Sequence, residues 1–280
     1  KSIIILIESD FPSITKPWIA YAKKYSCKVI FIKEIIGKSL TESIIEQIDN
    51  KTAVVAVSYV QFSTGSQVDV VQLRKSTELS GARLIIDVTQ AAGAIPIECT
   101  TWNADIVVSS GYKWLGGHGG VAFAVISTEL LKKLPPFIGW MSAPNPFEMI
   151  AVDLAVATGA RRYTQATMSY ISINCLTVSI REILRIGPEK IKSHTETLAN
   201  YLKQGLNELG WSAFTGNTKN SEASHILSIA KPNSDMNLAM REFRSKKLVC
   251  GCRNSRLRIS LAHYNDQNDI VHLLNLLKTF

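Results

Sequence analysis

The stretch from residue 83 to residue 120, RLIIDVTQAAGAIPIECTTWNADIVVSSGYKWLGGHGG, constrains the fold more than any other part of the chain. It holds two short runs, Leu84–Ile86 and Asp105–Val108, of the size expected for buried strands of an α/β sheet. Asp87 stands where the first run ends, with Gln90 just beyond it. The second run leads into Ser109-Ser110-Gly111-Tyr112-Lys113-Trp114 and a glycine-rich turn. Ligands of open α/β sheets bind at the carboxyl ends of the strands. The pattern therefore predicts that an Asp, a Gln, two Ser and a Lys share one rim.

The flanking sequence repeats the alternation. Ile3–Ile7, Val29–Ile32, Ala53–Val57 and Val121–Ile126 read as further strands. Helices are expected from Pro17-Trp18 onward, over about Leu40–Gln47, and over the amphipathic Val68–Ser80. Strands and helices alternating at this length predict a mostly parallel sheet. Pro135-Pro136, Gly139-Trp140 and Pro144-Asn145-Pro146 mark an irregular loop of the kind that lines active sites. Two helical patterns follow, Ser169–Arg185 and Pro188–Leu209, the second opened by Pro188 after Gly187. Beyond them Ile226–Ala230 and Leu257–Leu261 read as strands, with helices at Met236–Lys246 and Asp266–Leu277. The expected division is a large domain over 1–186 and a smaller α+β domain over 187–280.

Composition narrows the function classes. The formal charge of +8 raises the question of nucleic acid, but the basic residues come in pairs such as Lys23-Lys24 and Arg161-Arg162, without a long basic run, so no nucleic-acid partner is expected. The apolar runs are too short for a membrane helix. Five scattered cysteines, without a secretory signal pattern, fit a reducing cytoplasm. Cys250-x-Cys252 lacks the second pair that a zinc site needs, so no metal is expected.

A lysine in an apolar setting can lose its proton and condense with an aldehyde as a Schiff base. A carboxylate facing a pyridine nitrogen keeps it protonated and makes the ring an electron sink. The pattern Asp-x-x-Gln, a second strand, then Ser-x-x-Lys-Trp-Leu and glycines resembles the class-V aminotransferase family of fold-type I pyridoxal-phosphate (PLP) enzymes. The resemblance implies PLP as cofactor, bound covalently by Lys113, with Asp87 at the ring nitrogen and Gln90 at the phenolic oxygen. It implies that Phe11 stacks on the cofactor ring, that Gln61 reaches the phenolic oxygen or the substrate, and that Ser110 and Tyr112 meet the phosphate. GARRYTQAT, residues 159–167, is similar to the family segment whose threonine reaches the phosphate of a neighbouring subunit. Here that residue is Thr167, with Thr164 and Ala166 replacing the usual Glu and Gly. A shared site implies a homodimer. RLRISLAHYN, residues 256–265, resembles the segment whose arginine grips the substrate carboxylate, which places Arg258 in that role and leaves the histidines structural.

The reaction implied is aminotransfer on an amino acid. The alternative is a cysteine desulfurase or selenocysteine lyase, which needs a nucleophilic cysteine on a mobile segment. CGCRNSRLR lacks the His-Cys-Ala type of loop. Relatives carry a phosphate-binding segment before the first strand found here, so this chain, opening on Lys1, reads as the interior of a longer protein. If it stood alone, a non-catalytic scaffold of the same fold would be the reading.

Overall fold

The computed structural model describes residues 2–214 and 222–280. Five apolar runs become the parallel strands β1 (Ile3–Ile7), β2 (Lys28–Ile32), β3 (Thr52–Ser58), β4 (Arg83–Asp87) and β5 (Ile106–Ser110). A sixth, β6 (Ala122–Ile126), runs antiparallel to β5, giving the order β2-β1-β3-β4-β5-β6. β1 is buried along its whole length, as a strand covered on both faces must be. In β4 the period of two places Leu84 and Ile86 in the main core.

The connecting helices are α1 (Pro12–Tyr25), α2 (Leu40–Ile45), α3 (Val70–Ser80), α4 (Cys99–Trp102) and α5 (Thr128–Leu131). α1 begins five residues before the expected Pro17, because Pro12 occupies the first turn, where a missing N–H costs nothing. Pro17 lies inside the helix on an exposed face, so the Ser13 carbonyl it leaves free meets water. α3 starts on Asp69, whose carboxylate accepts the Gln72 N–H at 3.0 Å, and ends at Gly81 in the left-handed conformation. α1 covers the face carrying Ile4, Leu6 and Ala56, while Ile3, Ile5 and Ile7 belong to the larger core on the other face.

An irregular segment after α5 holds three short 3-10 turns, Trp140–Ser142, Pro146–Glu148 and Gly159–Tyr163. Then come α6 (Tyr170–Ile186) and α7 (Pro188–Glu208). The remainder forms β7 (Ser212–Ala213), β8 (Ile226–Ala230), α8 (Met236–Ser245), β9 (Gly251–Arg253), β10 (Arg256–Ser260) and α9 (Gln267–Thr279). These strands make a second, antiparallel sheet in the order β7-β8-β10-β9. α7 serves both cores: Ile191 packs in the first, and Leu198, Leu202 and Leu206 pack in the second. The chain is thus an α/β unit with a mostly parallel sheet, followed by a smaller α+β unit.

Candidate active site

Polar residues following the apolar runs converge where β1, β3, β4 and β5 end. β1 lies between β2 and β3, so its carboxyl end is a point where the strand order reverses and a crevice opens. A cavity of about 480 Å³ occupies this edge, lined by Phe11, Ser58, Phe62, Asp87, Gln90 and Lys113 among others. Ser110 and Tyr112 also line it.

Lys113 follows β5 in the tight turn before Gly116 and Gly117, and its Nζ lies over the Phe11 ring, 4.8 Å from the centroid. Burial lowers its pKa, the positive charge of Arg258 lowers it further, and Asp87 opposes both. Asp87 closes β4 and accepts the Thr89 N–H at 2.6 Å, yet burial still holds its pKa above that of an ordinary aspartate. The positive charge of Lys113, across the same cavity, opposes that rise. Gln90 is buried, and its Oε1 accepts the Trp114 indole N–H at 2.9 Å. An indole nitrogen only donates, so it fixes the amide with its oxygen toward Trp114 and its nitrogen turned the other way.

Phe11 caps the start of α1, and its ring packs edge-on against Phe62 at 5.4 Å. Beneath it lies Asp10, a buried carboxylate that the sequence reading passed over. It accepts the Phe11 N–H at 2.7 Å, the Ser58 N–H at 2.8 Å and the Ser58 hydroxyl at 2.6 Å, tying the end of β1 to the end of β3. Thr89 and Ser58, both cavity-lining, were passed over too, although each sits at or just beyond a strand end.

Gln61 is placed apart from the cavity-lining residues. It is fully buried, does not line the cavity, and donates from Nε2 to the Ser58 carbonyl at 3.4 Å. The reason is the turn after β3. Gln61 N–H bonds the Ser66 carbonyl and Gly65 N–H bonds the Gln61 carbonyl, which turns Gln61 inward toward Asp10 and presents Phe62 instead. Gly65 is in the left-handed region, and a Cβ there would lie 2.1 Å from the Ile226 carbonyl oxygen, so this turn has no room for another residue.

Thr167 is exposed and lies outside this cavity, beyond the 3-10 turn that carries Arg162 and Tyr163. Arg258, on β10, does not itself line the cavity; it donates from Nη1 to the carbonyl of Phe62, which does, at 3.0 Å. Its Nε is buried without a partner. A guanidinium anchored on one side, close enough for its charge to act on Lys113, is equipped to receive a carboxylate. Among the described residues no cluster of three or more His, Cys, Asp or Glu is placed to hold a metal ion.

Residues 1–273 match the family described as Aminotransferase class-V. The chain belongs to the class-V aminotransferase family. Members of that family are PLP-dependent enzymes, which accords with a lysine and an aspartate facing one cavity. Among relatives, an uncharacterized aminotransferase of Bacillus subtilis (strain 168), YcbU, is 25% identical over 276 residues, covering 98% of this chain and 71% of that protein. A probable cysteine desulfurase of Mycoplasma genitalium is 24% identical over 298 residues, covering 99% of this chain and 70% of its own length. In fold, the chain is similar to the apo structure of a cysteine desulfurase from Thermococcus onnurineus NA1. The TM-score is 0.88 at 21% identity, covering 99% of this chain and 72% of that one. The structure therefore has the fold of fold-type I PLP enzymes.

Proposed function

We propose that this chain carries the catalytic site of a PLP-dependent aminotransferase acting on an amino acid, with Lys113 as the covalent attachment point. The observation that carries the reading is the pairing of Lys113 and Asp87 across one cavity, each held by burial toward its neutral form. When bound, PLP supplies an electron sink for the pair released at the substrate Cα. The residues present fit it. Asp87 is a half-buried carboxylate on the cavity wall that could accept from a protonated ring nitrogen. The donor end of Gln90 suits a phenolic oxygen, and the Phe11 ring borders the cavity beside the Lys113 amine.

Lys113, whose amine burial holds below the usual lysine pKa, would be the residue that holds the cofactor covalently and would serve as the base that moves the proton at the substrate Cα. Arg258 holds the substrate carboxylate through the donors that Phe62 leaves free. Ser110 and Tyr112 take the phosphate, joined by Thr167 from a second copy. An exposed apolar segment supports the homodimer: Phe137, Phe147 and Val152 are 71%, 74% and 97% exposed, just before the Thr167 loop. The cytoplasmic assignment rests on five unpaired cysteines.

Desulfuration is the weaker reading because of strand parity. Gly251 pairs with Arg258 and Cys252 with Leu257, so Cys250 and Cys252 lie on the strand face opposite to Arg258. Both pack against the core of the smaller unit, and burial pushes the Cys250 thiol up to about 11. The test is addition of PLP, borohydride reduction and peptide mapping in wild type and Lys113→Ala. A visible band fixed on Lys113, absent in the variant, is expected. No label on wild type would leave the fold without its chemistry.

A further inference from the structure

His225 belongs to the smaller unit, one residue before β8, and is completely buried. Its Nε2 meets the Gln90 carbonyl oxygen at 2.5 Å, a contact spanning 135 residues of sequence. A carbonyl only accepts, so Nε2 carries the proton, and Nδ1 is the buried atom left without a partner. The imidazole also stands edge-on to the Trp114 ring at 4.7 Å. It therefore touches both members of a pair already joined, since the Trp114 indole N–H donates to Gln90 Oε1.

That pair sits behind the catalytic rim. Trp114 is the peptide neighbour of Lys113, and Gln90 lines the cavity two residues after Val88 leaves β4. The two turns are in backbone contact: Gly93 has φ +98°, and a Cβ there would lie 2.4 Å from the Trp114 carbonyl oxygen. The ring's burial keeps it neutral, with its pKa lowered to about 4, so that it acts as a donor of fixed tautomer.

We propose that His225 is a positioning residue of the active site. From the smaller unit, it locks the Gln90 main chain and the Trp114 ring, which keeps the Gln90 amide nitrogen toward the cavity and the Lys113 turn in register. The inference rests on the PLP reading for its consequence, but the lock itself belongs to the cofactor-free chain.

Three variants test it. His225→Leu fills the space without a donor, His225→Gln restores a donor at nearly the same reach, and Trp114→Phe removes the indole N–H while keeping an aromatic ring. In cofactor-free protein, the Trp114 indole proton is expected to be shifted downfield and protected from exchange. His225→Leu should lose both signatures and His225→Gln should keep them. With PLP added, His225→Leu and Trp114→Phe should weaken its binding about tenfold, the scale of one positioning hydrogen bond. They should also move the pH midpoint of the visible band, with His225→Gln close to wild type. An indole proton unchanged in His225→Leu overturns the inference. So does a variant that lowers only the melting temperature and leaves affinity and midpoint at wild type. If His225→Leu does not fold, Trp114→Phe decides: wild-type affinity and midpoint overturn the lock. A wild type that takes up no PLP refutes the cofactor reading instead, and the indole proton still decides whether the lock exists.

Discussion

The sharpest quantitative consequence of the His225 arrangement is an acid-dependent loss of stability. Its burial lowers the imidazole pKa from 6.5 to about 4, against the smaller opposing effect of the Gln90 carbonyl. Neither the Gln90 carbonyl nor the Trp114 ring, the two groups it meets, carries a charge. The folded state then binds fewer protons than the unfolded chain over this interval. The stabilisation is full above pH 6.5 and is lost as pH falls through 6.5 toward 4. Converted at 1.36 kcal/mol per pH unit, the loss is about 3 kcal/mol by pH 4. Carboxylates add acid dependence of their own, so the measurement is a difference. Urea unfolding of wild type and His225→Leu is followed at pH 7 and pH 4. At pH 7 the variant is less stable, because the Gln90 carbonyl has lost its donor. At pH 4 the gap should narrow by about 3 kcal/mol or reverse. Parallel pH profiles for the two proteins would refute the reasoning, because a solvated or ion-paired imidazole has no such dependence.

Other substitutions separate the roles assigned above. Arg258→Gln should raise KM for an amino acid about a hundredfold while changing kcat far less, in steady-state kinetics, because a buried charged donor to a carboxylate is lost. Asp105 is buried and accepts from Arg74 at 2.9 Å, Arg83 at 2.6 Å and the Leu84 N–H at 2.9 Å, so Asp105→Ala should cost about 3 kcal/mol in urea unfolding. The double variant Cys250→Ser, Cys252→Ser should keep its aminotransfer rate within about twofold, since substitutions away from the reacting groups change little; loss of a persulfide-forming activity in that variant would instead establish desulfuration. Phe147→Asp with Val152→Asp should convert a dimer to monomer in analytical ultracentrifugation, and a dimer that persists would place the interface elsewhere.

The residues at the carboxyl ends of the strands were legible because a buried strand announces its own end. Apolar runs give way to Asp87, to Ser110 and, after β1, to Phe11, and parallel strands bring those ends to one edge without further instruction. Gln61 and Phe62 were not separable by the same logic. The period of two stops at Ser58, and the turn closed at Gly65 decides which of the two neighbours faces the cavity. The parity that turns Cys250 and Cys252 away from Arg258 belongs to a strand of only three residues, Gly251–Arg253, too short to leave a pattern. The antiparallel direction of β6 is likewise invisible, since one apolar run reads alike in either direction.

His225 shows a deeper reason for what sequence leaves out. Two groups from the smaller unit reach the rim, the Arg258 guanidinium and the His225 imidazole, and both donate to main-chain carbonyls, those of Phe62 and Gln90. A carbonyl is present at every position, so neither contact demands a particular side chain from the loop that receives it. What such contacts do demand is the path of the backbone after β3 and β4, which Gly65 and Gly93 set by leaving no room for a Cβ against Ile226 and Trp114. The loops that carry these cavity-lining side chains are thus held through their backbones, and Phe62 and Gln90 face the cavity. Substitution at Gly93 should therefore disturb Gln90 and Lys113 together, although glycine itself contributes no group to the chemistry.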